Sequence, residues 1–499
     1  MVPPGSAGGT MGGELPQETL DPEDWTQLRS LAHRAIDDGL DYLQQARQRP
    51  VWQPTPAEVA AQFHAPLPRA PQGAERAYQD FREQVMPWQM GNTHPRFWGW
   101  FMGNGTAFGA VGDFLAAIVN PNMGGGNHVG NLVENQVVDW CKQIVGLPRD
   151  SGGLLVSGAS MANFVALAVA RGARAGIDVR AAGVAALPRP LVFYASTEVH
   201  SCMQKAIELL GHGTQALCKL PVDAQYRFDL AALARAVGAD RAAGRQPCAV
   251  IGSAGTINTG SVDDLDALAD FCARERLWFH VDGAIGAVVA ISPQHRHLVR
   301  GMERADSVAL DLHKWLHIPF EAGCVIVRDR KAHHATFSLT PEYLAHAPRG
   351  LASGADWFSD YGLQLSRGFR ALKVWLSFKE HGLDKYARLI DQNIAQAQRL
   401  GELVRAQPEL ELMAPVGLNI ACFRYRGRGG TQQQLNARNE ELLIRLHEGG
   451  VVAPSYTRLD GSYCLRAAIV NHRTRSADLE LFVEQVLKTG RALEADAHA

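Results

Sequence analysis

The chain has 499 residues, too many for one compact core, so two or more domains are expected. Its 49 Lys+Arg against 51 Asp+Glu leave a formal net charge of -2, which gives no electrostatic footprint for nucleic acid or for an anionic membrane. No apolar run is long enough to span a bilayer, the N-terminus carries Gly, Pro and acids in place of a basic and apolar signal, and a cytoplasmic protein is expected.

In chain order, residues 1–20 read as a disordered tail. Asp21-Pro22-Glu23-Asp24 is a helix start signal, and Trp25, Leu28, Leu31, Ala32, Ala35 and Ile36 recur behind it at helical spacing. Prolines from Pro50 to Pro71 then break the chain into connections and short helices, so 21–105 reads as an N-terminal helical segment. It ends in the aromatic run His94-Pro95-Arg96-Phe97-Trp98-Gly99-Trp100.

Residues 106–380 alternate helix-like and strand-like runs: a helix from Ala159 to Arg171, and strands at Leu191–Tyr194, Ala249–Ile251, Leu277–Val281 and Val308–Leu310. This alternation predicts a mostly parallel sheet with helices on both faces. Residues 381–499 read as a smaller α+β domain with strands at Leu418–Phe423 and Tyr463–Val470. The eight cysteines form no CxxC or other metal-type spacing, so reduced buried thiols and no metal site are expected.

Chemistry gathers where the predicted strands end. After Val308-Ala309-Leu310 come Asp311, His313 and Lys314 within four residues. A poorly solvated lysine at such a place has a depressed pKa and a nucleophilic amine, as a Schiff base with a carbonyl cofactor requires. Ser157-Gly158-Ala159-Ser160 is a small-residue turn opening a helix, whose free N–H groups suit a phosphate; an ordinary N-cap is the plain alternative. His200 follows the Leu191 strand, where an imidazole can stack on a planar ring or relay protons, although a loop histidine is more often structural. Gly255-Thr256 follows the Ala249 strand and reads as a cofactor contact or a turn. Asp282 leaves the Leu277 strand; beside a pyridine nitrogen its carboxylate keeps that nitrogen protonated, and otherwise it is a strand cap. All of these fit pyridoxal 5'-phosphate.

With these marks, and with His94-Pro95 and the run His295-Arg296-His297 to Ser307, the chain resembles the group II pyridoxal-phosphate-dependent amino-acid decarboxylases, from about Trp25 to about Leu487. That family includes aromatic L-amino-acid, glutamate and cysteine sulfinate decarboxylases. The resemblance implies a fold type I PLP-dependent transferase architecture: a large domain with a mostly parallel, seven-stranded type of sheet, and a smaller C-terminal α+β domain. It also implies a homodimer with active sites at the interface, across which the N-terminal segment packs. In it Lys314 is the Schiff-base lysine, Asp282 the ring-nitrogen partner and His200 the residue stacked on the ring. Ala159, Ser160 and His313 lie at the phosphate, and Thr256 is a further cofactor contact. Tyr343, in Thr340-Pro341-Glu342-Tyr343-Leu344, matches the tyrosine that protonates the substrate α-carbon.

The implied reaction is decarboxylation of an L-amino acid to its amine and carbon dioxide. An aldehyde synthase or other carbon–carbon lyase on the same scaffold is the alternative, and a non-catalytic homologue the weaker one. Asp311 stands where the family often has asparagine. An acid near a phosphate is costly without an offsetting proton or cation, so the sequence assigns Asp311 no ligand role. His94, Asn120 and Asn122 are the candidate substrate contacts. Gly124-Gly125-Gly126 predicts a roomy pocket or flexible backbone donors. Aromatic, acidic and basic substrates all stay open.

Overall fold

The computed structural model describes residues 18–339, 347–354 and 357–496. The chain divides into two compact units, Met1–Gln44 with Pro56–Pro87 and Gln45–Thr55 with Trp88–Ala499. In the first unit, helix α1 spans Trp25–Gln44, α2 Ala57–Gln62 and α3 Ala74–Asp80. The expected start signal works through Asp24: its Oδ1 accepts the N–H groups of Thr26 (2.7 Å) and Gln27 (3.1 Å), two donors without intrahelical partners.

The second unit begins with strand β1 (Phe97–Trp98), followed by α4 (Ala107–Val119) and α5 (Val129–Val145). An α/β run follows: β2 (Gly152–Val156), α6 (Ala159–Arg174), α7 (Val179–Ala182), β3 (Leu191–Ser196), α8 (Ser201–Leu209) and β4 (Leu217–Leu220). Then come β5 (Gln246–Ser253), β6 (Trp278–Asp282), β7 (Ser307–Asp311) and β8 (Gly323–Val327). These strands form a seven-stranded sheet in the order β2-β8-β7-β6-β5-β3-β4. β4, β3, β5, β6 and β7 run parallel, while β8 is antiparallel to both of its neighbours.

Every residue of β3, β6, β7 and β8 is buried. Helices cover both faces of the sheet, so these strands read as continuous apolar runs instead of alternating ones. Phe279, Val281 and Leu310 enter one core, and Trp278, Ala309 and Phe193 the other. α6 lies in the second core with Ala162, Val165, Ala166, Leu167 and Val169 all buried. Its alanines let the helix approach the sheet closely, and each fully buried valine or leucine contributes about 1.5–3 kcal/mol.

The smaller sheet has the order β1-β11-β12-β10-β9, with β9 Leu410–Leu412, β10 Ile420–Tyr425, β11 Ala453–Leu459 and β12 Ser462–Ala468. Two of its strands match the sequence reading. β1 does not: it comes from the segment read as helical and pairs in parallel with β11. Its Trp98 ring lies 5.0 Å from Phe482, in the core of this sheet. A two-residue strand made by distant pairing leaves no periodic trace in the sequence.

One buried ion pair ties α5 to the turn before the helix Arg370–His381. Arg367 meets Glu134 end on, through Nη1 and Nη2, with both side chains essentially inaccessible. The guanidinium also donates to the carbonyls of Met123 and Leu155, each at 2.7 Å. Burial raises the Glu134 pKa and the Arg367 charge lowers it.

Candidate active site

The parallel strands deliver their carboxyl ends to one cavity of about 360 Å³. Ligand sites of open α/β sheets form at this edge. Ala159, Ser160, His200, Thr256, Asp282, His313 and Lys314 all line it. They come from five separate turns or strand ends, with Ala159 and Ser160 sharing one and His313 and Lys314 another, and the sheet order brings them together. His94, Asn120 and Asn122 are not among the lining residues. Tyr343 lies outside the described residues.

Lys314 follows β7 by three residues. Its loop is tied down by Leu312 and His313, whose N–H groups both reach the Ala322 carbonyl, and by buried Trp315, whose indole donates to Asn393 at 3.0 Å. The Lys314 ammonium sits 3.0 Å from Asp311 Oδ2, and its side chain keeps 20% exposure, toward the cavity it lines. Asp311 is 3% exposed, and its Oδ1 accepts the Ala159 N–H at 2.7 Å, at the start of α6. The acid that the sequence left without a role therefore has both a cation and a helix N-terminus to offset it.

The approach of α6 to β8 depends on two glycines. A Cβ on Gly323 would lie 2.5 Å from the Gly158 Cα, and one on Gly158 would lie 3.2 Å from the His313 ring. The small-residue turn is thus a close contact as well as a helix start.

Asp282 closes β6, 7% exposed, and its Oδ1 accepts the Ala284 N–H at 3.2 Å. His200 caps α8: its Nδ1 accepts the Cys202 N–H at 3.2 Å, which leaves the ring proton on Nε2. Burial lowers the His200 pKa, against the opposing pull of Asp282. Burial also lowers that of His313, whose ring packs 4.3 Å from Phe320. Both imidazoles are therefore held toward their neutral forms. Thr256 pairs its hydroxyl with Thr259 at 3.1 Å.

A polar chain runs beneath the cavity floor. The Trp278 indole donates to Ser307 Oγ (2.8 Å), and Ser307 meets His280 Nδ1 (2.9 Å). His280 Nε2 meets Asn163 Oδ1 (2.8 Å), and the Asn163 amide donates to Cys202 Sγ (3.4 Å). The Asn163 amide oxygen can only accept, so Nε2 carries the ring hydrogen of the neutral imidazole and Ser307 donates its own proton to the bare Nδ1. Burial pushes His280 down to about 4 and the Cys202 thiol up to about 12, so both are neutral at pH 7.

Sequence reasoning missed Asn163, Glu198, Cys202, Phe320 and Glu321 in the lining. Asn163 carried a signal, a polar residue inside an otherwise apolar helix. Glu198 and Glu321 look like ordinary loop acids until the fold places them. The glycine run also differs from expectation. A Cβ on Gly124 would meet the Leu365 carbonyl at 2.1 Å, and one on Gly125 the Trp357 ring at 2.3 Å. These glycines admit close packing and not a roomy pocket. Asn122 serves the same packing: its Oδ1 accepts the N–H groups of Gly124 and Arg367, each at 3.0 Å. Asn120 ends α4 in the left-handed region at φ 40°, and His94 is buried with its Nδ1 accepting the Arg96 N–H.

Residues 56–426 match the pyridoxal-dependent decarboxylase conserved domain. The chain is 31% identical over 457 residues to an aromatic-L-amino-acid decarboxylase of Bacillus atrophaeus, covering 91% of this chain and 93% of the relative. It is 30% identical to a phenylacetaldehyde synthase of Arabidopsis thaliana, covering 91% and 93%. The solved Oryza sativa TDC with PLP and tryptamine superposes with a TM-score of 0.87 at 27% identity, covering 95% of this chain and all of that one.

Proposed function

This chain belongs to the pyridoxal-dependent decarboxylases, and from that premise we infer which residues carry its chemistry and which substrates it takes. It is a PLP-dependent enzyme that decarboxylates an L-amino acid to the corresponding amine. The observation that carries the assignment of roles is the meeting of a lysine, a carboxyl group, an imidazole and a helix N-terminus around one cavity.

These groups fit pyridoxal 5'-phosphate. The first turn of α6 offers the Ser160 N–H and hydroxyl to the phosphate. Asp282 offers a fixed carboxylate to the ring nitrogen, and Lys314 an amine to the aldehyde. When bound, the cofactor supplies an aldehyde for the amine and a protonated ring that takes up the electrons released from the bond between Cα and the carboxylate. Asp282 holds the ring proton in place. His200, with its hydrogen on Nε2, would stack on the ring and assist the proton donor. Thr256 and His313 complete the walls, and Tyr343 is the proton donor in this reading.

The substrate side chain is aromatic in this reading. Among the described lining residues Lys314 is the single lysine or arginine, against Asp282, Asp311, Glu198 and Glu321. An acidic side chain would add a further carboxylate, beyond these four and the substrate's own α-carboxylate, with no cation to receive it, a repulsion that low local dielectric magnifies. Ile257, Ile285 and Phe320 offer apolar surface instead. The similarity to aromatic-L-amino-acid decarboxylases supports the same choice. A panel of L-amino acids, with amine and carbon dioxide measured together, tests it. Tryptophan, tyrosine or phenylalanine should give both products in equal amounts. Faster turnover of glutamate would overturn the assignment, and aldehyde in place of amine would favour the synthase reading.

The homodimer belongs to the same proposal, with 21–105 packing across it, 106–380 binding the cofactor and 381–499 as the small domain. α4 exposes Phe114, Leu115, Ile118 and Val119, an apolar face that a second copy would cover. A cytoplasmic location is also proposed. Among the described residues no helix is long and apolar enough to cross a membrane, and the eight cysteines are unpaired.

A further inference from the structure

We propose that Asp311 shares the N-terminal turn of α6 with the cofactor's phosphate and anchors the Lys314 ammonium, weakening phosphate capture in return for a lysine held at the strand end. The inference rests on Lys314 and α6 being the two ends of the cofactor site.

The geometry is specific. One oxygen of the buried carboxylate takes the Ala159 N–H at 2.7 Å, and the other lies 3.0 Å from Lys314 Nζ. The Gly158 carbonyl takes the N–H groups of Met161 and Ala162. The Ser160 N–H is then the donor of this turn that neither Asp311 nor Gly158 uses. A phosphate bound there sits beside a carboxylate already on the same positive helix end, and like charges at one helix end oppose each other. No arginine lines the cavity among the described residues to relieve them. Lys314 is the available cation, and Asp311 is the group that positions it.

Asp311 is therefore a positioning residue with two opposed effects. Removing its charge should tighten phosphate binding and loosen the lysine. The test uses the full-length chain stripped of cofactor, with inorganic phosphate as the probe, followed by calorimetry. Asp311→Asn should bind phosphate about tenfold more tightly than the wild type, from loss of one adjacent like charge. The same variant should develop the visible band of added pyridoxal phosphate more slowly. Asp311→Glu, which keeps the charge, should stay within about twofold of the wild type in phosphate affinity. If Asp311→Asn does not fold by circular dichroism, Asp311→Ser carries the same measurement.

Unchanged or weaker phosphate binding in the neutral variant, with the wild-type band intact, overturns this proposal and leaves the assignment of the site standing. A wild type that develops no band with pyridoxal phosphate overturns the assignment itself.

Discussion

Two buried carboxylates in this protein each face a cation, and they are built differently. Glu134 meets Arg367, and two more of the guanidinium's donors are taken by the carbonyls of Met123 and Leu155. Asp311 meets Lys314, but the lysine keeps a fifth of its surface open to a cavity. The planar guanidinium cannot deprotonate and spends its donors on fixed acceptors, so that pair can only hold. The ammonium is a single movable point on a flexible stem, so its pair can be opened by a ligand. One chemical motif, an acid beside a base inside a fold, thus engages its cation in one place and leaves it able to meet a ligand in the other. What differs is the number of donors left over.

The largest expected effect comes from breaking the pair at the cavity. Lys314→Ala should abolish the visible cofactor band and lower kcat by about 10⁴-fold or more. Its unfolding free energy should fall by less than about 2 kcal/mol, because the first turn of α6 still holds Asp311. Turnover close to wild type would remove Lys314 from the mechanism. Breaking the rigid pair should give the opposite profile. Glu134→Gln leaves a buried guanidinium without its counter-charge and should lower stability by about 3–5 kcal/mol in a urea titration. Activity per folded molecule should survive, and a selective loss of kcat would show that this pair also serves the reaction.

Asp282→Asn sharpens the comparison at a third carboxylate, one proposed to serve a ring nitrogen instead of a side-chain cation. The cofactor band should remain while kcat falls by about 10²–10³-fold, the range for loss of one preorganised electrostatic partner. A kcat within twofold of wild type would return Asp282 to a strand cap. The smallest effect concerns pH. His280 is pushed down from 6.5 to about 4 by burial, so the unfolded chain binds a proton that the folded chain refuses. Its contribution is present above pH 6.5 and is lost as the pH falls toward 4, by up to about 1.4 kcal/mol per pH unit. His94, His333 and His472 are displaced in the same direction and steepen the loss. Replacing His280 with Asn should flatten the stability curve in this window; an unchanged slope would mean that the imidazole is charged in the folded protein.

Much of the cofactor end of the site was legible because parallel strands advertise themselves. A continuous apolar run followed at once by Lys314, Asp282 or Thr256 can be read without knowing the strand order. The rest depends on contacts between distant segments. Glu198 and Glu321 reach the cavity only through the loops that carry them. Gly124 and Gly125 suggested open space, because nothing near them in sequence shows that Leu365 and Trp357 fill it. β1 was invisible for the same reason, since its partner lies 356 positions away (453 − 97). The role of Asp311 needed the distance to Ala159, which no spacing rule supplies.

The polar chain from Trp278 to Cys202 has a direction. Every hydrogen in it points the same way, because the Asn163 oxygen can only accept and so places the ring hydrogen of His280 on Nε2. An exchange at a single position, such as serine for alanine at 307, strands a donor on one side and an acceptor on the other. Positions 163, 278, 280 and 307 are therefore constrained to change in concert. Their inheritance is that of one unit, whatever substrate the enzyme comes to favour.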